Sequence, residues 1–174
     1  MGIISLPYSD GPMPSRLKRY QNEGNHRFLT FSCYRRLPYL DNDHSRKVSL
    51  DILEVVRGRH QFFLFGYVLM PEQVHLPLSE PKAERLHNTL SVLKEQTSRQ
   101  LRGTRDRFWQ TRYDDFNVLT HRKFVEKLRT IHRNPVARGW VSQPEDWSWS
   151  SFRHWTTGEA GSVEIESHWT RNRL

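Results

Sequence analysis

Residues 61–70, QFFLFGYVLM, and 74–78, VHLPL, are two short apolar runs separated by Pro71-Glu72-Gln73. Runs of this length, rich in aromatic and branched residues and broken by a proline, read as buried strands joined by a tight turn. Strands joined so closely run antiparallel, because a parallel pair needs a crossover of a dozen or more residues. An antiparallel sheet therefore organises this part of the chain.

Working outward, His26 to Tyr34 (HRFLTFSCY) alternates well enough for a further strand, and Leu37-Pro38-Tyr39-Leu40 makes a turn. Asn42 or Asp43 caps a helix to about Arg59, with Val48, Ile52, Val55 and Val56 on one face. Downstream, Pro81 opens a second helix to about Arg102, with Leu86, Leu90, Leu93 and Leu101 inward, and Gly103 stops it. Arg112 to Leu119 is a fourth strand. Thr120 caps a third helix with Phe124, Leu128 and Ile131 inward, and Pro135 constrains its end. The order β-α-β-β-α-β-α predicts an α+β fold, an antiparallel sheet of four to five strands with helices packed on one face. Residues 1–14 read as a flexible tail, with Met13 as an alternative start, and 15–174 as a single domain. From about residue 141 a Trp-rich extension (Trp147, Trp149, Trp155, Trp169) reads as turns and one short helix.

The chain has 174 residues, with 27 Lys and Arg against 19 Asp and Glu, for a net charge of +8. That balance points to a polyanionic partner, nucleic acid or an anionic membrane surface. The single Cys33 excludes a disulfide scaffold and fits a reducing cytoplasm. The longest apolar run, Phe62 to Met70, is too short to span a bilayer, and no basic amphipathic helix suggests membrane binding. There is no Gly-rich phosphate loop, Gly-x-Ser-x-Gly or His-Glu-x-x-His.

Two groups of residues carry chemistry. Gln73 and His75 stand two apart on a strand and so share a face. That spacing fits a strand-borne cation site, and equally two polar groups lining a solvated face. Thr130 and Asn134 stand four apart on the third helix and also share a face. Asn134 is either a neutral oxygen ligand or a C-terminal cap. Arg129, Arg133 and Arg138 make that helix end basic, which suits phosphate. Cations interleave with aromatics in Arg107-Phe108-Trp109-Gln110-Thr111-Arg112-Tyr113, a mixture that grips a backbone while stacking bases, or else a solvated charge run.

Together these blocks resemble the REP-associated tyrosine transposases, single-tyrosine transposases with a His-hydrophobic-His signature. The resemblance covers about residues 13 to 173. It rests on Leu17-Lys18-Arg19-Tyr20, Phe28 to Arg36 (FLTFSCYRR), Gly66 to Glu72 (GYVLMPE), Phe108-Trp109-Gln110 and Asp115-Phe116-Asn117-Val118. It continues through Ile131 to Val136 (IHRNPV), Pro144-Glu145-Asp146-Trp147 and Trp149 to His154 (WSSFRH). It implies a ferredoxin-like or RRM-like transposase fold and binding of single-stranded DNA hairpins or palindromic repeats. In the family reaction two strand histidines and a helix-borne polar ligand hold Mg2+ or Mn2+, and a helix tyrosine attacks the phosphorus.

This chain departs from that pattern at two places. Gln73-Val74-His75 stands where the family has His-hydrophobic-His, and Thr130 stands where it has the catalytic Tyr. The resemblance thus implies Thr130 at the catalytic position, His75, Gln73 and Asn134 as metal ligands, and metal binding that is weak or lost. The residues expected to meet DNA are Arg16, Lys18, Arg19, Arg35, Arg36, Lys94, Arg99, Arg102, Arg107, Trp109, Arg112, Arg129, Arg133 and Arg138. Strand cleavage is expected to be impaired. An active variant with an unusual nucleophile and a non-catalytic nucleic-acid-binding module are the alternatives.

Overall fold

A computed structural model describes residues 26–171. The expected tail at 1–14 and the cations Arg16, Lys18 and Arg19 lie outside the described residues. Four strands form one antiparallel sheet in the order β2-β3-β1-β4: β1 (His26–Cys33), β2 (Val68–Leu69), β3 (Gln73–Ser79) and β4 (Trp109–Val118). Three long helices accompany them: α1 (Asp43–His60), α2 (Leu86–Leu101) and α3 (His121–Ala137).

The α+β architecture matches expectation, with one difference in its layers. Helices α1 and α2 cover one face, where Phe31, Val74 and Leu76 of the sheet meet Leu50, Leu53 and Leu93. Helix α3 covers the other, where Phe124 packs edge-on against His26 and Phe28. The alternation of strand side chains makes both faces available, and β1 uses both, burying Phe28 on one side and Leu29 and Phe31 on the other. Sheets buried on both faces lose the clean polar alternation, which is why β1 alternates only approximately.

Local signals set the helix starts. Asn42 Oδ1 accepts from Ser45 N at 2.9 Å, and Thr120 Oγ1 accepts from Lys123 N at 3.3 Å, as N-caps do. Helix α2 begins at Leu86 rather than Pro81. Residues 82 and 83 instead donate their backbone N–H groups to Gln61 and His60 carbonyls, and those bonds hold the segment outside the helix. Val55, expected inward, is 55% exposed. Helix α3 runs past Asn134 to Ala137 with Pro135 inside its last turn.

The extended run at 61–70 contributes only Val68–Leu69 to a strand, with a single bridge from Leu64 to Leu78. The C-terminal extension occupies its outer edge. Leu69 N donates to Trp149 O, Ser151 N to Tyr67 O and Glu166 N to Leu64 O. The buried indoles of Trp147 and Trp155 donate to the Leu69 and Phe65 carbonyls at 3.0 and 2.8 Å. The tryptophans thus seal one edge of the sheet, satisfying carbonyls that a fifth strand would otherwise bond. The extension holds two short helices, α4 (Phe152–Thr157) and α5 (His168–Arg171), where one was expected. Among the described residues no helix is long and apolar enough to cross a membrane.

Candidate nucleic-acid site

The face of the sheet beneath α3 carries a row of polar side chains. Register places His75 of β3 beside Thr30 of β1, and Thr30 beside Asp114 of β4; one step along, Gln73 pairs with Ser32. Gln73 and His75 therefore do share a face, and α3 brings Asn134 onto it. Asn134 Nδ2 donates to His75 Nε2 at 3.0 Å, and His75 Nδ1 donates to Thr30 Oγ1 at 3.0 Å. The imidazole is bonded on both sides, which fixes its orientation; with the Asn134 amide nitrogen on Nε2, the ring proton sits on Nδ1. Burial is the main cause that pulls the His75 pKa down to about 4, with Arg138 and Arg36 lowering it further against the opposing pull of Glu72. The ring is consequently neutral at physiological pH, the form that ligates metals and accepts hydrogen bonds.

Gln73 takes no part in that contact. Its Nε2 approaches Ser32 Oγ at 3.5 Å, a long contact at best. Thr130 lies one helical turn before Asn134 on the same stripe of α3, yet it is exposed and its hydroxyl donates to the Glu126 carbonyl at 2.8 Å. This back-bonding to the preceding turn holds a mid-helix threonine hydroxyl against its own helix. Tyr113 is not placed to replace it. It pairs with Phe31, on the face opposite that of Thr30, Asp114 and His75.

One turn beyond Asn134, Arg138 reaches the turn between β2 and β3 and pairs with the buried Glu72 carboxylate. The same helix thus grips the sheet twice, at His75 and at Glu72. This pair escaped the sequence reading. Only the adjacency of Glu72 to Gln73 hinted at it, and nothing local connects it to a residue 66 positions away.

The expected DNA-binding cations separate into groups. Where β1 leaves the sheet, Arg35 lies 5.2 Å and Arg107 5.8 Å from the Tyr34 ring, and Arg105 stacks 4.4 Å from the Tyr39 ring. Tyr34 N bonds Phe108 O, tying the start of β4 to this loop. Arg35 and Arg36 both adopt left-handed backbone conformations, φ 53° and 55°. Arginine rarely takes this conformation, and such residues concentrate where a site requires a particular geometry. Arg36, Arg107 and Arg138 are exposed at this end of the sheet. Arg105 joins them through aromatic stacking.

Other expected members stand apart. Lys94 donates to the Gln110 carbonyl at 2.5 Å, and Arg99 pairs with Glu95 at 2.5 Å, so both charges are engaged. Arg102, Arg112 and Arg133 are exposed, and Arg129 is half-buried on α3. Trp109 is 9% exposed and packs edge-on against Phe31 and Phe108, so its ring faces the core rather than a base. Aromatics interleaved with cations mark the buried beginning of a strand as well as a stacking surface, and here they mark the strand.

No family model matches the chain. A curated REP-associated tyrosine transposase of Escherichia coli (strain K12) is 26% identical over 139 residues, covering 79% of this chain and 82% of its own length. The solved structure of a REP-associated tyrosine transposase bound to a REP hairpin superposes with a TM-score of 0.66 and 23% identity. That match covers 83% of this chain and 87% of the other. The sequence resemblance and the fold therefore agree.

Proposed function

We propose that this chain, similar in sequence and fold to the REP-associated tyrosine transposases, binds single-stranded hairpin DNA through the basic end of its sheet and has lost or weakened the family's strand cleavage. One observation carries the reading. His75 and Asn134, 59 positions apart, meet at 3.0 Å beneath α3, and Arg36 and Arg138 lie close enough to perturb the imidazole. The solved relative with its hairpin supports the choice of partner, as does the +8 charge.

The chemistry of cleavage fares worse. A divalent cation, Mg2+ or Mn2+, would be held by His75 Nε2 and, after the amide turns over, by Asn134 Oδ1, with Gln73 as a third donor. When bound it would polarise a phosphate oxygen. The donors fit such an ion poorly. All are neutral, Gln73 is turned toward Ser32, and the nearby Glu72 carboxylate is engaged by Arg138. No group of three or more His, Cys, Asp or Glu is positioned to hold a metal among the described residues. At the nucleophile position, Thr130 offers a short hydroxyl bonded to its own helix. An aliphatic alcohol is also far less acidic than a phenol of pKa about 10.

The test is competition for the protein between a labelled single-stranded hairpin and a scrambled strand of the same composition. The hairpin should compete markedly better. Equal competition would replace this reading with that of a general nucleic-acid-binding module.

A further inference from the structure

The end of α3 presents an aromatic group that neither the core nor the site at His75 uses. Trp140 is 52% exposed, although its backbone is firmly held. Gly139 takes φ 75°, and the Gly139 and Trp140 N–H groups donate to the Val136 and Pro135 carbonyls at 3.0 and 2.9 Å. This pair of bonds is a common glycine stop of a helix, and the residue in the position of Trp140 ordinarily folds back to pack on its own helix. Here the indole stands half out of the surface, tilted 52° against the buried Trp147 ring with centroids 6.2 Å apart. Trp147 is itself fixed by its bond to the Leu69 carbonyl and by the Arg46 guanidinium 5.0 Å from its ring. Ala137, Arg138, Gly139, Ser142 and Gln143 are exposed beside Trp140 in sequence, and none is a large apolar side chain.

An isolated indole on a fixed backbone suits a single flat ring. A protein partner would want contiguous apolar surface, which these small and polar neighbours do not give. Every nucleobase has a π-face, so an exposed tryptophan stacks a base without reading its identity. The place in the fold suits the unpaired nucleotides beside a hairpin stem. Arg138 N bonds Asn134 O at 3.0 Å, so Trp140 stands just beyond the turn of helix whose Asn134 meets His75. Arg138 pairs with Glu72, and Cys33 N bonds the Glu72 carbonyl at 2.8 Å, which puts this end of α3 at the same end of the sheet as Arg35 and Arg36. The charges nearest in sequence are mixed, Arg133 and Arg138 against Glu145 and Asp146, so the contact draws on stacking rather than on attraction for phosphate. We propose that Trp140 is a stacking platform for one unpaired base flanking the hairpin stem, without selection among the bases. The proposal rests on the reading of the chain as a hairpin-binding protein, and it assigns the contact that seats the single-stranded flank.

Fluorescence anisotropy of the intact chain with three labelled DNAs sharing one stem tests it. They are a blunt hairpin, the hairpin with short unpaired thymine flanks on both sides, and the flanked hairpin with abasic sugars in place of the thymines. The last keeps every phosphate and removes only the bases. The native chain should bind the thymine-flanked hairpin at least about fivefold tighter than the abasic one. Trp140→Ala should abolish that difference and leave both the affinity for the blunt hairpin and the salt dependence unchanged, while Trp140→Phe should keep most of it. A native chain that binds thymine and abasic flanks equally, or a Trp140→Ala chain that keeps the difference, would overturn the proposal. So would a loss in Trp140→Ala that is equal for blunt and flanked hairpins, because it reports a structural role. Competition with the scrambled strand separates the platform from the reading beneath it. Hairpin selectivity with no base-dependent loss in Trp140→Ala overturns the platform alone. A Trp140-dependent gain from the bases, on a scrambled strand that binds as well as the hairpin, overturns the functional reading alone.

Discussion

Thr130 and His75 mark how far single residues carry the function. The sequence places Gln73 and His75 on one face and Asn134 on the helix above, because strand and helix periodicities are local rules. It does not reveal that Asn134 bonds His75 rather than solvent, nor that Arg138 is taken up by Glu72, since neither contact has a local spacing. Buried imidazoles are likewise invisible to periodicity. His26 sits between Phe65 and Phe124 at 4.8 and 5.2 Å with no hydrogen-bond partner among the described residues. Burial lowers its pKa to about 4, as it does for His75, and lowers that of His132 to about 3. Each of these groups binds a proton more readily in the unfolded chain, near the ordinary value of about 6.5. Their contribution is therefore present above pH 6.5 and is lost as pH falls toward 4. Urea denaturation from pH 7 to 4 should show stability falling across this window. His26→Phe should flatten the slope, whatever its effect at pH 7, and an unchanged slope would show that His26 titrates normally in the fold.

At the scale of elements, boundaries were legible where a cap or a turn residue fixes them, as at Asn42 and Thr120. They were not where long-range bonds intervene. The start of α2 moved because residues 82 and 83 bond the end of α1, and the strand expected over 61–70 shrank because the extension took its outer edge. The close approach of that segment to α3 depends on Gly66. A Cβ there would stand 2.8 Å from Ser151 Oγ and 2.9 Å from Leu128 Cδ1. Ser151 cannot readily give way, because its hydroxyl bonds Tyr67 N at 2.9 Å and His132 Nε2 at 2.8 Å. Gly66→Ala should destabilise the fold by about 1–3 kcal/mol, the usual cost of overpacking, in urea unfolding. A neutral result would mean that α3 and the extension shift freely, and the alignment of Asn134 over His75 would lose its support.

Across the whole molecule, the sheet carries two packed layers, and the +8 charge is unevenly used. Some cations are spent inside the protein, as with Lys94 on β4 and Arg138 on Glu72, while Arg35, Arg36 and Arg107 are exposed at one end. Composition foretold the excess of charge and not its placement. If that end meets the DNA backbone, hairpin affinity should fall at least about tenfold between 50 and 200 mM salt through counterion release. A flat response by filter binding would remove the backbone from the account. The central claim is a hairpin-binding scaffold whose cleavage groups have been replaced. Its most direct measurement incubates labelled single-stranded hairpin with the native chain and with the Gln73→His, Thr130→Tyr double variant, in Mg2+ or Mn2+, and resolves the products on a denaturing gel. The native chain should retain the hairpin before denaturation, also in EDTA, and leave no covalent adduct. The double variant should form an adduct that a further His75→Ala abolishes, with each single change contributing little because the groups act as a unit. An adduct on the native chain, or a double variant that binds the hairpin yet stays inert, would contradict the account.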